Sequence, residues 1–361
     1  MSQSNEHKGI FGQIEGYDHE QIVFCNDPET GLRSIIAIHN TVLGPALGGT
    51  RMWNYASEAE AVHDVIRLSR GMTFKAAISG INLGGGKAVI IGNPATDKSE
   101  ALWRRYGRFV DSLSGKYITA EDVGTNTEDM EFISMETDYC TGKPEYLGGG
   151  GDPSPVTAYG TYLGMKAAAK VKWGDDSLKG KRVMVQGVGH VGQYLVGHLI
   201  EEGAEVLIAD INRKNIKMTM DRYEVTRVDA DKVYEQDMDI YAPCALGATL
   251  NDTSIPQLKC GVVAGAANNQ MEDEKRHGAM LREKGIAYAP DFLINAGGLI
   301  NCYVELQGYD RERAFGYTEK IYQRTLDIFE KAAQEDITTH EAAERTALER
   351  IGAIARVNSR F

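Results

Sequence analysis

The period of apolar positions changes several times along the chain, and each change marks an element. Residues 20–25 and 33–39 are apolar and β-branched runs on either side of Asn26-Asp27-Pro28-Glu29-Thr30-Gly31, which predicts two strands joined by a hairpin connection. Ser57-Glu58-Ala59-Glu60 has the form of a capping box, and Val62, Val65, Ile66 and Ser69 follow it at helical spacing. Residues 87–91 read as a buried strand that stops at Gly92-Asn93-Pro94. Helices are predicted over 98–113 and 127–137, with a strand over 116–120 between them.

Gly148-Gly149-Gly150-Gly151-Asp152-Pro153 interrupts this pattern. Four glycines are costly to order, so the stretch reads as a loop or hinge. A long helix over 156–172 follows. Strands and helices then alternate at 182–186, 190–202, 205–209, 239–242, 262–264 and 286–288. That alternation predicts an α/β chain with a doubly wound parallel sheet in its second half. Amphipathic helices over 311–334 and 338–356 complete the pattern. A length of 361 residues exceeds one ordinary core. The expected division is 1–147, then 148–335, with 336–361 packing back on the first domain.

Charge and cysteine usage narrow the partners. The net charge of −12 argues against nucleic acid and against an anionic membrane surface. The five cysteines are scattered, with no CxxC and no Cys/His spacing, so neither a disulfide framework nor a zinc site is expected. Residues 1–8 are polar and no apolar run is long enough to span a bilayer. The expectation is a cytoplasmic protein with reduced thiols.

Val183-Met184-Val185-Gln186-Gly187-Val188-Gly189-His190-Val191-Gly192 is a strand, a GxGxxG turn and a helix start. Gly187 permits the tight turn, Gly189 lets a pyrophosphate approach the backbone, and Gly192 lets helix and strand pack closely. The N–H groups of Val188, Gly189, His190 and Val191 are expected to face the phosphates. Asp210 closes the next apolar run, where a carboxylate accepts from a ribose diol and repels a 2′-phosphate. The pattern therefore favours NAD, while Arg213 and Lys214 nearby keep NADP open. A purely structural glycine turn explains the glycines but not the aspartate that follows at this spacing.

The first half carries Lys75 at a helix end and Lys87 after Leu83-Gly84-Gly85-Gly86. Burial lowers a lysine pKa, which makes proton exchange near neutrality accessible. Alone, Lys87 reads as an exposed strand-start residue and Asp122 as a turn residue. Together with Gly48-Gly49-Thr50-Arg51 they gather at element ends, where reacting groups collect.

Gly44-Pro45-Ala46-Leu47-Gly48-Gly49-Thr50-Arg51-Met52-Trp53, Asn82 to Lys87 and Thr119-Ala120-Glu121-Asp122-Val123-Gly124-Thr125 resemble the Glu/Leu/Phe/Val amino-acid dehydrogenases. So do Pro153 to Gly160, Tyr241 to Ala248, Ala267-Asn268-Asn269-Gln270 and Ile294 to Gly298, in order over nearly the whole chain. The resemblance implies an N-terminal α/β domain for substrate and oligomerisation and a Rossmann-type NAD domain, separated by a cleft that closes on a hinge. It implies reversible oxidative deamination of an amino acid to a 2-oxo acid and ammonium, with NAD as cofactor and no metal. It also implies a homo-oligomer, in this family often an octamer. By the same resemblance Lys75 binds the substrate carboxylate, Lys87 activates water and stabilises the carbonyl oxygen, and Asp122 shuttles the amino proton. Gly48 and Gly49 border the substrate, Thr157 holds the carboxamide of the nicotinamide, Asn269 its ribose, and Asn295 lies in the same wall.

The substrate side chain is read at Leu47, where the glutamate branch has a lysine. A distal carboxylate buried there without a cation costs several kcal/mol, on the order of 3–5, so an apolar amino acid is expected. Ala120, Leu299 and Cys302 are expected to complete the pocket. Ala120 resembles the branch acting on leucine, whereas Leu299 leans toward the aromatic branch; the expectation is L-leucine and other branched-chain amino acids first and phenylalanine poorly, with a phenylalanine or valine dehydrogenase of the same family as the alternative.

Overall fold

The computed structural model describes residues 10–245 and 247–359. Residues 1–8, and Leu246 within the Tyr241–Ala248 motif, lie outside the described residues. The chain divides into two compact units. Of the described residues, one holds 10–152, 302–310 and 347–359, and the other holds 153–301 and 311–346. The boundary thus falls at 152/153 where the sequence suggested 147/148. The last helix contributes to the first unit only from residue 347 onward, and residues 302–310 also belong there.

In the first unit, β1 (Gln21–Asp27), β2 (Leu32–Asn40), β3 (Ala46–Trp53), β4 (Gly84–Ile91) and β5 (Tyr117–Glu121) form one sheet in the order β1-β2-β4-β3-β5. β2 pairs antiparallel with both β1 and β4, and β3 pairs in parallel with both β4 and β5. After the short α1 (Ile10–Ile14), α2 (Glu58–Ile78) covers one face of this sheet, where Ala61, Val62, Val65 and Ile66 are buried against Ile35, Ala37 and Val89. Burying each of these larger aliphatics contributes roughly 1.5–3 kcal/mol. α3 (Glu100–Asp111) and α4 (Thr127–Ser134) close the other face through Trp103, Tyr106, Met130 and Ile133.

The start of α2 is half of the expected capping box. The Ser57 hydroxyl accepts from the Glu60 N–H at 3.1 Å, but the Glu60 carboxylate reaches the N–H of Ala56 and not that of Ser57. The sequence pattern also missed β3, whose glycines have low strand propensity. It began β4 at Lys87, although Gly84, Gly85 and Gly86 already belong to the strand.

The second unit is a six-stranded, fully parallel sheet. Its strands are β6 (Arg182–Gln186), β7 (Glu205–Ala209), β8 (Thr226–Arg227), β9 (Ile240–Pro243), β10 (Val262–Val263) and β11 (Ala287–Tyr288), in the order β11-β10-β9-β6-β7-β8. This is the doubly wound order, and its direction reverses between β6 and β9. Its helices are α5 (Ser154–Trp173), α6 (His190–Glu202), α7 (Arg213–Arg222), α8 (Ser254–Gln257), α9 (Glu274–Glu283), α10 (Asp291–Ile294), α11 (Gly297–Glu305) as far as residue 301, α12 (Arg311–Glu335) and α13 (Thr339–Asn358) as far as residue 346. α5 stops at Gly174 and α6 at Gly203, both left-handed.

Candidate active site

Strand alternation sets one face of the first sheet apart. Ala46, Met52, Ala88 and Ile90 point to the core under α3 and α4, so Leu47, Gly49, Arg51 and Lys87 point to the face that α2 covers. On that face Lys87 Nζ lies 3.0 Å from Asp122 Oδ1, and Arg51 Nε donates to Asp122 Oδ2 at 2.8 Å. A terminal nitrogen of Arg51 reaches on to Asp64 of α2 at 2.9 Å, and the Tyr55 hydroxyl donates to the same carboxylate oxygen at 2.7 Å. Asp122 follows directly on β5. Its N–H donates to Thr125 Oγ1 at 2.8 Å, which fixes the turn that carries it.

Glycines make this approach possible. A Cβ on Gly48 would stand 1.7 Å from the carbonyl oxygen of Gly86, and one on Gly49 would stand 2.9 Å from the Cβ of Asp122. Any side chain at these two positions pushes β3 away from β4 or from the aspartate.

The electrostatics follow from burial. Lys87 is 4% exposed. Burial works to lower its pKa, Asp122 pulls it back up and Arg51 pushes it down, and the balance stays below the ordinary lysine value. Burial would raise Asp122, but Lys87 and Arg51 outweigh it and hold the carboxyl well below the usual carboxylate range. The resting pair is therefore an ion pair with a lysine primed to release its proton. Lys75 sits in the last turn of α2, half-buried. Leu47 is 1% exposed and Ala120 is likewise buried. Leu299 and Cys302 both lie on α11, Leu299 in the second unit and Cys302 in the first. Burial pushes the Cys302 thiol up to about 12, so it stays protonated and unreactive.

Two acidic residues near this site were not singled out in the sequence. Glu121, beside Asp122, is pushed up to about 7, first by burial and then by Asp152 and Glu305. The buried Glu305 accepts the N–H groups of Gly142, Lys143 and Gly150 at 3.0, 3.3 and 2.8 Å, which anchors the segment leading into the four glycines. No motif announces either role, because each depends on partners remote in the chain.

In the second unit the GxGxxG turn follows β6 at the reversal of strand order. Gly187 has a φ of +99°, which only glycine adopts without strain. A Cβ on Gly192 would stand 2.1 Å from the carbonyl oxygen of Gly187, so only glycine lets α6 pack this close. Gly189 has nothing within 4 Å of where a Cβ would be, which leaves the helix start open. His190 is exposed and Val191 half-buried there. The Val188 N–H differs from expectation: it donates to Asp210 Oδ2 at 2.9 Å, and is committed to that carboxylate instead of being open to a phosphate. Asp210 also accepts from the N–H of Asn212 at 2.7 Å.

Three further expected cofactor residues cluster on neighbouring elements of this unit. The Thr157 hydroxyl, in the first turn of α5, donates to the Pro153 carbonyl at 3.0 Å. Asn269 takes a positive φ of 51° in the loop after β10. Asn295 Nδ2 donates to Asn268 Oδ1 at 2.8 Å and to the Ala266 carbonyl at 3.1 Å, while its Oδ1 is buried without a hydrogen-bond partner among the described residues. A buried acceptor with no donor fits a site completed by a ligand. The open helix start, the tight glycine turn and the carboxylate at the end of β7 fit a dinucleotide.

The chain matches known proteins along its length. Residues 19–139 match the Glu/Leu/Phe/Val dehydrogenase dimerisation domain, and residues 148–212 and 207–358 match the Glutamate/Leucine/Phenylalanine/Valine dehydrogenase family. Leucine dehydrogenase of Thermoactinomyces intermedius is 56% identical over 352 residues, covering 98% of this chain and 96% of the relative. Phenylalanine dehydrogenase of the same organism is 47% identical over 346 residues, covering 95% and 94%. The crystal structure of L-tryptophan dehydrogenase from Nostoc punctiforme superposes with a TM-score of 0.83 at 45% identity, covering 96% of this chain and 99% of that one. With a lysine and aspartate paired on one sheet and a dinucleotide turn on the other, the chain belongs to the Glu/Leu/Phe/Val dehydrogenase family of amino-acid oxidoreductases.

Proposed function

We propose that this chain catalyses the reversible oxidative deamination of L-leucine and other branched-chain L-amino acids, taking up water and releasing the 2-oxo acid and ammonium, with NAD as oxidant. The identity to leucine dehydrogenases over nearly the full chain supports the substrate class. The observation that carries the chemistry is the buried Lys87–Asp122 pair at 3.0 Å.

When bound, the nicotinamide supplies the acceptor for the hydride that leaves Cα. Lys75 holds the substrate carboxylate as a point charge. Asp122, kept ionised by its two cations, takes up and returns the proton of the amino group. Lys87 accepts a proton from the water that adds to the imine carbon, and its ammonium then stabilises the oxygen that becomes the carbonyl. Neutral Lys87 is the form that accepts this proton, and its depressed pKa makes that form available at moderately alkaline pH. Leu47, Ala120, Leu299 and Cys302 give an apolar surround for the side chain. Gly187, Gly189, His190, Val191 and Gly192 would hold the pyrophosphate, with Asp210 at the adenosine ribose, and Thr157, Asn269 and Asn295 at the nicotinamide end. The negative charge of Asp210 opposes a 2′-phosphate, which is why NAD and not NADP is proposed. The same reading makes the chain a cytoplasmic homo-oligomer, with an octamer as the expected assembly. Among the described residues no helix is long and apolar enough to cross a membrane.

The test is NADH formation at alkaline pH with L-leucine, L-valine, L-phenylalanine and L-glutamate, for wild type and Lys87→Ala. Leucine and valine should turn over and glutamate should not. Lys87→Ala should lose at least ~100-fold in kcat while binding NADH as wild type does. A highest kcat/KM for phenylalanine overturns the substrate reading, and near-normal kcat in Lys87→Ala overturns the assignment of the lysine.

A further inference from the structure

A histidine and two glutamates from separate segments converge in the second unit. Glu274 opens α9, directly after its cap Asp273. His340 and Glu344 stand one turn apart near the start of α13 and project from the same side of it. One ligand atom from each residue, an imidazole nitrogen and two carboxylate oxygens, lies within 4.8 Å of the other two. The sequence pattern gave no sign of this group, because its members share no motif spacing.

His340 is the informative member. It is only 7% exposed, and neither ring nitrogen makes a hydrogen bond among the described residues. Its Nε2 stands 3.4 Å from Glu274 Oε2, an ion-pair separation beyond hydrogen-bond geometry of good quality. Its ring packs edge-on against Phe292. The imidazole is thus fixed by packing, while its Nδ1 has no hydrogen-bond partner among the described residues and its Nε2 has only the long approach to Glu274. The same residue lines a groove of about 430 Å³ with Gly278, Tyr288, Thr338 and Thr339, which provides a route for an ion and for water.

We propose that Glu274, His340 and Glu344 form a site for one divalent transition cation of the zinc class, tying the start of α9 to the start of α13. One imidazole with two carboxylates is a donor set that zinc and its first-row neighbours accept, whereas calcium and magnesium take oxygen ligands only. Ligands at zinc distances sit roughly 3.4 Å apart around a tetrahedron, so the three ligand atoms have to draw in from separations that are at most 4.8 Å. Water from the groove completes the coordination. Binding displaces any proton on His340, so affinity falls as pH falls. The competing description is a plain Glu274–His340 ion pair, under which removing the Glu344 charge has no effect on metal binding.

The experiment titrates metal-stripped full-length protein with Zn²⁺ alone by calorimetry and follows thermal unfolding with and without it. Wild type should bind one equivalent per chain that Glu344→Gln loses and Glu274→Gln weakens at least tenfold. At about a hundredfold excess over Kd the wild-type unfolding temperature should rise by roughly 5–10 °C, reversed by a chelator. The glutamates are chosen because both are solvent-accessible, so their variants keep the buried His340 and its packing. Circular dichroism of both variants should match wild type. Binding and shift unchanged in both variants would place the metal elsewhere and overturn the proposal, as would the absence of saturable Zn²⁺ binding to wild type.

Discussion

Asp122 neutralises two cations at once, so Asp122→Asn has an effect that can be worked out. The Lys87 side chain is 5% exposed and that of Asp122 is 22% exposed. The amide keeps one acceptor but loses the charge, leaving Lys87 buried near Arg51 with no anion between them. The lysine then sheds its proton instead of staying charged. A lysine that is neutral in the folded chain at pH 7 and has an ordinary pKa near 10.4 when unfolded costs about 1.4 kcal/mol per unit of difference, so about 5 kcal/mol is the ceiling. Allowing for the retained hydrogen bond, the loss at pH 7 should be about 2–4 kcal/mol. The pH dependence is the sharper signature. The unfolded variant carries one more proton than the folded one, so its stability should climb by about 1.4 kcal/mol per pH unit from pH 7 to 9. In wild type, Asp122 holds the Lys87 proton more tightly, so the same rise begins at higher pH. The stability contributed by ionised Asp122 is lost only as pH falls below the ordinary carboxylate range, outside this window. Urea titrations of both proteins at pH 7, 8 and 9, at one protomer concentration, measure the difference. A loss under about 1 kcal/mol at pH 7, or parallel pH slopes for the two proteins, would refute the reasoning.

Glu305→Gln exchanges a carboxyl group whose two oxygens accept three N–H groups for an amide with one oxygen. It should cost about 2–4 kcal/mol and speed limited proteolysis within residues 142–151, and wild-type cleavage rates would refute the anchoring role. Gly192→Ala sets a Cβ 2.1 Å from the Gly187 carbonyl oxygen, so NADH affinity by fluorescence titration should fall at least tenfold, about 1.4 kcal/mol; unchanged affinity would mean the turn tolerates the shift. Leu47→Lys places an ammonium at a position 1% exposed. It should lower kcat/KM for leucine by at least roughly tenfold and raise the ratio of glutamate to leucine, and an unaltered ratio would remove Leu47 from the specificity surface.

Legibility in the sequence tracked how local the determining physics is. The hairpin of β1 and β2, the turn after β6 and the alternation of the second unit each follow from spacing within a short window, and all were readable. β3 was not, because Ala46-Leu47-Gly48-Gly49 is a poor strand by propensity. It becomes one because β4 and β5 flank it on both sides, with the Gly86 carbonyl where a Gly48 side chain would be. Gly84 to Gly86 fall outside the strand predicted over 87–91 for the same reason, although they belong to β4. Gly85 is required because a Cβ would meet the backbone nitrogen of Thr73 on α2 at 2.1 Å. Close packing between distant segments, not loop flexibility, explains these glycines.

The same distinction governs the site. Lys87 and Asp122 stood out because each adjoins a glycine-rich or turn-forming stretch, but their pairing is a product of the sheet order β4-β3-β5, which sets one strand between them. That intervening strand is also what brings Arg51 to Asp122, and Arg51 changes the chemistry. A lone Lys87–Asp122 pair would hold its proton firmly on the lysine. With Arg51 sharing the carboxylate, Asp122 is ionised more firmly while its hold on Lys87 is divided, and Arg51 adds direct repulsion to the lysine. Asp64 and Tyr55 in turn keep Arg51 in place from α2 and the loop before it. The tendency of Lys87 to give up a proton therefore belongs to a five-residue network spread over residues 51–122. The motifs contain three of its members, Arg51, Lys87 and Asp122, but only the register of three parallel strands joins them, and the covering helix and the loop before it add Asp64 and Tyr55.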